Sequence, residues 1–175
     1  MKYESIDSKL FIKNRANFSR EMKKNSIAFF NSNDIYPVSA DSTLPFEQHR
    51  DIFYLSGIDQ EESILVLCPD NPNPDLREIL FLKETNDHIA VWEGPKINKT
   101  QALEISGIKT VFWLKDLEKL IDKLVSTCHN IYFNKNEHYR AKIETETREA
   151  RFNSWLEKKY PKKNKERSNP ILQRL

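Results

Sequence analysis

The chain has 175 residues and only three glycines, Gly57, Gly94 and Gly107, against a usual share of about 7%. Glycines so far apart cannot write G-x-G-x-x-G or G-x-x-x-x-G-K-[ST], so the two commonest backbone cradles for phosphate are missing. Cysteine is scarce too. Cys68 and Cys128 stand sixty residues apart, which suggests neither a disulfide framework nor a zinc motif and leaves two ordinary small core residues. No stretch approaches the 18 or so apolar residues of a membrane span, and the opening Met-Lys-Tyr-Glu-Ser-Ile-Asp has no apolar signal region. A cytoplasmic protein with no membrane partner is the expectation. No G-x-S-x-G elbow and no H-E-x-x-H occurs, and His49, His88, His129 and His138 have no Cys or carboxylate at zinc spacing.

What remains has the composition of a globular α/β domain: 38% hydrophobic, 31% charged and 11% aromatic residues, ten of them Phe. Net charge is +2, but residues 156–175 hold seven basic residues against two acidic ones, which leaves the body mildly acidic. That balance argues against nucleic acid as a partner.

Hydrophobic periodicity predicts a helix over 8–24, with Phe11, Phe18 and Met22 on one face, Arg15 between them, and Asp7 or Ser8 as the cap. Ser26–Asn31 reads as a strand covered on both faces. Residues 32–48, with two prolines and several Asp, Asn and Ser, read as a long loop, ordered because Ile35, Tyr36, Leu44 and Phe46 need cover. Four strand-like runs follow at 52–55, 63–67, 78–82 and 88–92, joined by short turns that favour antiparallel neighbours. The second half alternates: a helix from Asn98 to Ile105 stopped by Gly107, a strand at 109–113, a helix capped by Asp116, a strand at 130–134, and a long polar helix from Glu137 to about Tyr160. A meander followed by βα units makes a mixed sheet of about six strands flanked by helices. From Pro161 onward the composition is that of a linker, ending on Ile171-Leu-Gln-Arg-Leu175. No internal repeat stands out, and the pairs Glu61-Glu62 and Glu144/Glu146 are what this acidic content produces by chance.

Two stretches resist a purely structural account. One is Asp41-Ser-Thr-Leu-Pro-Phe-Glu-Gln-His-Arg-Asp-Ile-Phe-Tyr-Leu-Ser-Gly57; the other is Val91-Trp92-Glu93-Gly94, a large aromatic beside a turn glycine. Pro45, Phe46, Gln48, Asp51, Phe53, Tyr54, Leu55, Gly57, Pro69, Asp70, Trp92 and Gly94 occur in an order and spacing that resembles the N-terminal domain of Xaa-Pro aminopeptidases (aminopeptidase P), within the creatinase/prolidase group. The resemblance runs from about Phe11 to the C-terminus.

The resemblance implies an α/β domain over residues 1–160, with 161–175 leading toward a catalytic "pita-bread" domain beyond this chain. That catalytic domain would carry two Asp, one His and two Glu around a pair of manganese ions and cleave before proline in peptides with proline at the second position. The domain itself would be non-catalytic and would hold none of those ligands. It would pack on its own C-terminal catalytic domain, contribute to a dimer or tetramer, and help wall the active-site entrance through Trp92 and the 41–50 loop, with Asp41, Phe46 and Gln48 as the loop's candidates. A free-standing binding or oligomerisation module of the same fold, or the N-terminal domain of a prolidase or creatinase-like hydrolase, fits the residues as well.

Overall fold

The computed structural model describes residues 4–138 and 146–175, without the side chains of Asp87 and Trp92. In chain order the elements are α1 (Ser8–Glu21), β1 (Ser26–Asn31), β2 (Pro37–Ser39), β3 (Ser42–Thr43), α2 (Arg50–Ser56), β4 (Ile64–Leu67), β5 (Glu78–Leu82), α3 (Asp87–Glu93), α4 (Lys99–Ser106), β6 (Thr110–Trp113), α5 (Leu117–Ser126), β7 (Asn130–Phe133), α6 (Arg148–Lys159), β8 (Asn164–Arg167) and α7 (Asn169–Leu172). Six strands form one sheet in the order β6-β5-β4-β1-β7-β8, while β2 and β3 make a separate hairpin. Strand β4 runs antiparallel to both of its neighbours, and the other three pairings are parallel.

Side-chain alternation on the strands splits the core into two layers. Ala28, Phe30, Leu65, Leu67, Leu80 and Leu82 face α1, α2 and α4 through Phe18, Ile52, Leu55 and Ala102. Ile27, Phe29, Ile64, Val66, Ile79 and Phe81 face α5 and α6 through Ile121, Leu124, Val125 and Leu156. The expected mixed sheet of six strands flanked by helices is what forms.

Helix α1 lies against the C-terminal ends of two other helices, and one side chain joins all three. Arg15 is completely buried: its Nη1 donates to Leu55 O at the end of α2 and to Ser106 O at the end of α4, both at 2.9 Å. Its Nε donates to Glu78 Oε2 at 2.9 Å. Helix C-termini leave orphan carbonyls, and a cation there also meets the negative end of the dipole. Each end is built from nearly the same peptide, Leu55-Ser56-Gly57-Ile58 and Ile105-Ser106-Gly107-Ile108. In both, the serine hydroxyl donates to the carbonyl four residues back (Ile52 O at 2.7 Å, Ala102 O at 2.6 Å) and accepts the N–H of the following isoleucine. Both glycines are left-handed (φ 70° and 74°), and a Cβ on either would collide with α1, at Phe11 and Ile12 respectively. The short repeated tripeptide is thus a repeated cap.

Four expectations change. Residues 52–55 are helical: Ile52 and Leu55, one turn apart, both reach the sheet, which a strand would point to opposite faces. Residues 88–92 belong to α3, because Asn86 Oδ1 accepts Ile89 N–H at 2.9 Å and caps a helix where turn chemistry suggested a strand connection. The last long helix starts at Arg148, where Thr147 Oγ1 accepts Ala150 N–H at 3.3 Å; Glu137 and His138 are not helical, and 139–145, with Ile143 and Glu144, lie outside the described residues. The linker-like 161–175 supplies the sheet's sixth strand, parallel to β7, and then α7, whose Ile171 is buried in the core. Its surface-like composition reflects an edge strand with mostly exposed side chains.

Arg15→Met removes the donors that answer two helix ends and leaves their buried carbonyls unpaired. Chemical denaturation should show a loss of about 3–5 kcal/mol.

Candidate functional site

Strands β1 and β5 both run antiparallel to β4, so the segments that follow them leave the sheet at the same end. The segment after β1 carries Asp41, Phe46 and Gln48; the one after β5 carries α3, Trp92 and Gly94. The topology therefore brings the two unexplained stretches of sequence to one end of the sheet.

Residues 37–43 form the β2–β3 hairpin, with Ala40 (φ 48°) and the exposed Asp41 at its turn. The segment is ordered, as expected, but by backbone pairing and not by burial. Leu44 N–H donates to Tyr36 O at 2.9 Å and Asn33 Nδ2 to Glu47 O at 3.0 Å, whereas Val38 and Leu44 remain 59% and 56% exposed. The hairpin thus projects an apolar face. Phe46 is half-buried on the return toward α2.

Gln48 acts as a brace. Its Nε2 donates to Ile58 O at 3.0 Å and Gln60 O at 2.9 Å, and its Oε1 accepts His49 N–H at 2.8 Å. All three of these amide bonds go to the protein's own backbone, so Gln48 positions the loop. Next to it, His49 stands at the N-cap of α2: in the neutral ring its Nδ1 accepts Asp51 N–H at 3.3 Å, in the imidazolium the protonated Nδ1 faces Asp51 Oδ2 at 3.8 Å, and its Nε2 lies 3.1 Å from Glu149 Oε2 on α6. Burial disfavours the imidazolium, but the hydrogen bond to Glu149 and the charges of Asp51 and Glu149 outweigh it and raise the His49 pKa above its ordinary value.

The turn at 58–63 holds the second stretch as well. Gln60 Oε1 accepts Ile97 N–H at 2.6 Å, and Lys96 pairs with Glu61, whose side chain is largely buried. Lys83, at the end of β5, bridges Glu93 of α3 at 2.7 Å and Glu62 at 3.4 Å, which raises the lysine pKa and lowers that of Glu93 through their hydrogen bond. Glu62 itself is left-handed (φ 51°). Two of the three described non-glycine residues with positive φ, Ala40 and Glu62, thus lie in these segments, where backbone strain tends to gather. Gln60, Glu61, Glu62, Lys83 and Lys96 were not singled out by sequence. Glu61-Glu62 looked like a chance pair, and only the return of the chain after α3 gives it partners.

A cleft of about 200 Å³ opens beside the turn, bounded by Asn33, Asp34, Glu61, Glu62 and Arg148. A wider groove, about 660 Å³, lies between α1, α2, α4 and the 95–97 loop and is walled mainly by apolar side chains such as Phe11, Phe53, Ile97 and Ile105. Among the described residues no three His, Cys, Asp or Glu side chains are grouped so as to hold a metal ion. No described helix is long and apolar enough to cross a membrane. The backbone of Trp92 lies in α3, and its side chain is outside the described part. The arrangement is a scaffold that aims a hairpin and a short helix from one sheet end.

Residues 11–132 match the sequence profile of the aminopeptidase P N-terminal domain, and the chain belongs to that family. It is 27% identical over 105 residues to human Xaa-Pro aminopeptidase 3, covering 59% of this chain and 21% of that one. It is 28% identical over 127 residues to the intermediate cleaving peptidase 55 of Saccharomyces cerevisiae, covering 71% and 24%. Among solved structures, the Pseudomonas aeruginosa aminopeptidase PepP superposes with a TM-score of 0.74 at 18% identity, over 92% of this chain and 36% of that one. Escherichia coli aminopeptidase P in complex with substrate gives 0.75 at 20% identity, over 97% and 38%. At those identities the structural likeness is one of fold. The chain spans between a fifth and a third of the curated relatives it matches.

Two measurements test the bracing. Gln48→Ala should cost about 1–3 kcal/mol in urea unfolding, because two backbone carbonyls lose their donor. A raised His49 pKa means that its stabilisation is complete below about pH 6.5 and fades as pH rises through the folded value. The melting-temperature deficit of His49→Gln should therefore be larger at pH 5.5 than at pH 9.

Proposed function

We propose that this domain is the non-catalytic N-terminal part of a cytoplasmic, metal-dependent Xaa-Pro aminopeptidase, which removes the residue preceding a proline from peptide N-termini. Membership in the aminopeptidase P N-terminal domain family carries this reading. Bond cleavage belongs to a following catalytic segment, expected to hold two manganese ions that activate a water when bound. The part played by residues 1–175 is to bind, position and exclude.

The hairpin and α3 suit that part. Both leave the same end of the sheet, and the 58–63 turn braces both through Gln48, Gln60, Glu61 and the Lys83 bridge. A wall made of Trp92, Phe46 and Asp41, set by Gln48, would narrow an active-site entrance so that only extended chain ends pass. The exposed Val38 and Leu44 favour contact with the catalytic segment of the same protein or of a second copy in a dimer or tetramer.

The test is Trp92→Ala in a protein that carries the catalytic segment. Activity toward Xaa-Pro peptides longer than a few residues should rise relative to short ones, or kcat/KM should fall several-fold; unchanged kinetics and length preference would reduce Trp92 to a packing residue. The purified 175-residue chain should hydrolyse no Xaa-Pro peptide. Hydrolysis by that chain would overturn the non-catalytic reading, and dipeptide-only cleavage by the longer protein would point to a prolidase.

A further inference from the structure

The two cysteines that sequence spacing sets far apart meet in the folded chain. Cys68 follows β4, Cys128 lies between α5 and β7, and their sulfurs are 3.3 Å apart. Both are free and almost fully buried, in a layer whose other members are aliphatic and aromatic. We propose that Cys68 and Cys128 are a modification site: a thiol pair that a peroxide converts to a disulfide and a dithiol reductant restores.

Three observations support this. First, bond formation requires the sulfurs to close by only about 1.3 Å, from 3.3 Å to the usual S–S length of about 2.05 Å. Second, the surroundings favour a thiolate on one partner. Hydrogen bonding with Cys68 brings the Cys128 thiol down to about 7 against the opposing effect of burial, with help from Thr127 and the positive charge of Lys163. Lys163 Nζ also donates to the Cys128 carbonyl. The same hydrogen bond, together with burial, raises the Cys68 thiol, while the nearby carboxylate of Asp70 works against ionisation of either sulfur. The Lys163 ammonium, held at the Cys128 carbonyl, makes Cys128 the attacking sulfur. Third, both cysteines have exposed chain neighbours: Thr127 and His129 adjoin Cys128, and Asp70 stands two residues after Cys68.

The chemistry balances. The Cys128 thiolate attacks one oxygen of hydrogen peroxide, the O–O bond breaks, and hydroxide leaves as a sulfenic acid forms on Cys128. The Cys68 thiol then gives up its proton and attacks that sulfur; the S–S bond forms, the S–O bond breaks, and water leaves. Two electrons pass from the sulfur pair to the peroxide, which ends as two waters.

The bond would close a loop of about sixty residues and tie the end of β4 to the α5–β7 junction. That junction is already knotted: His129 N–H donates to Asn25 O at 2.7 Å and Asn25 N–H to Asp70 Oδ2 at 2.7 Å. Because β4 ends there and β1 begins there, the staple sits at the sheet end opposite the hairpin and α3. Oxidation should thus stabilise the domain and leave the candidate site's geometry alone.

The experiment treats the reduced, folded 175-residue chain with hydrogen peroxide. Intact mass should fall by two hydrogens, non-reducing peptide mapping should find Cys68 joined to Cys128, and the melting temperature should rise by about 5–15 °C and return with dithiothreitol. In Cys68→Ser the cross-link should vanish and dimedone should trap a sulfenic acid on Cys128. Independent oxygen addition to each cysteine without a cross-linked peptide would overturn the proposal. So would a native chain that stays reduced at a peroxide concentration that oxidises the urea-unfolded chain. A cross-link that lowers the melting temperature would overturn its stabilising role. The wild-type mass and mapping decide the matter even if a serine variant fails to fold.

Discussion

One guanidinium holds the helical layer of this domain together. Arg15 projects from α1 into the protein interior and meets the carbonyl ends of α2 and α4 and the carboxylate of Glu78. An apolar side chain could fill that volume but could not answer the carbonyls, and leaving them unpaired costs more than burying a cation bonded through Nε and Nη1. Burial lowers the Arg15 pKa, against the pull of Glu78, yet the side chain remains the cation that both helix ends require. The glycines at 57 and 107 follow from the same constraint: α1 can approach close enough for Arg15 to reach only where no Cβ stands in the way of Phe11 and Ile12.

With α1, α2 and α4 fixed in this way, the turn that follows α2 is fixed too, and the candidate site is hung on it. Gln48 fastens the hairpin's return to Ile58 and Gln60; Gln60 and Glu61 fasten the chain after α3; Lys83 spans Glu62 and Glu93. In the function we propose, the domain's part rests on where a loop and a short helix point. A brace of backbone-directed amides and half-buried ion pairs is a suitable way to hold such segments, because it orders them without burying the faces they present.

The other end of the sheet has a different character. There the strand ends are drawn together around Asn25, and the two cysteines lie beneath them. The two ends of the sheet thus carry different features: braced segments at one, and the strand junction with its thiol pair at the other.

Much of this was legible in order along the chain. The apolar run 26–31, the alternating half after residue 98, the caps at Asp7, Asn98 and Gly107, and the motif from Pro45 to Gly57 determine the α/β class, the family and the two segments of interest, because each signal is local or a matter of spacing. Local signals failed where two elements compete for the same residues. Ile52-Phe-Tyr-Leu55 is as apolar as a strand, and only the sheet beneath it selects the one-turn spacing of Ile52 and Leu55. Asn86 can close a turn or cap a helix, and the charged strand β8 looks like a linker until β7 offers it a ladder. The role of Arg15, the meeting of Cys68 with Cys128 and the partners of Glu61 and Glu62 were decided by tertiary structure alone. Each depends on residues dozens of positions apart, whose proximity is set by the packing of whole helices on the sheet and leaves no mark in local sequence.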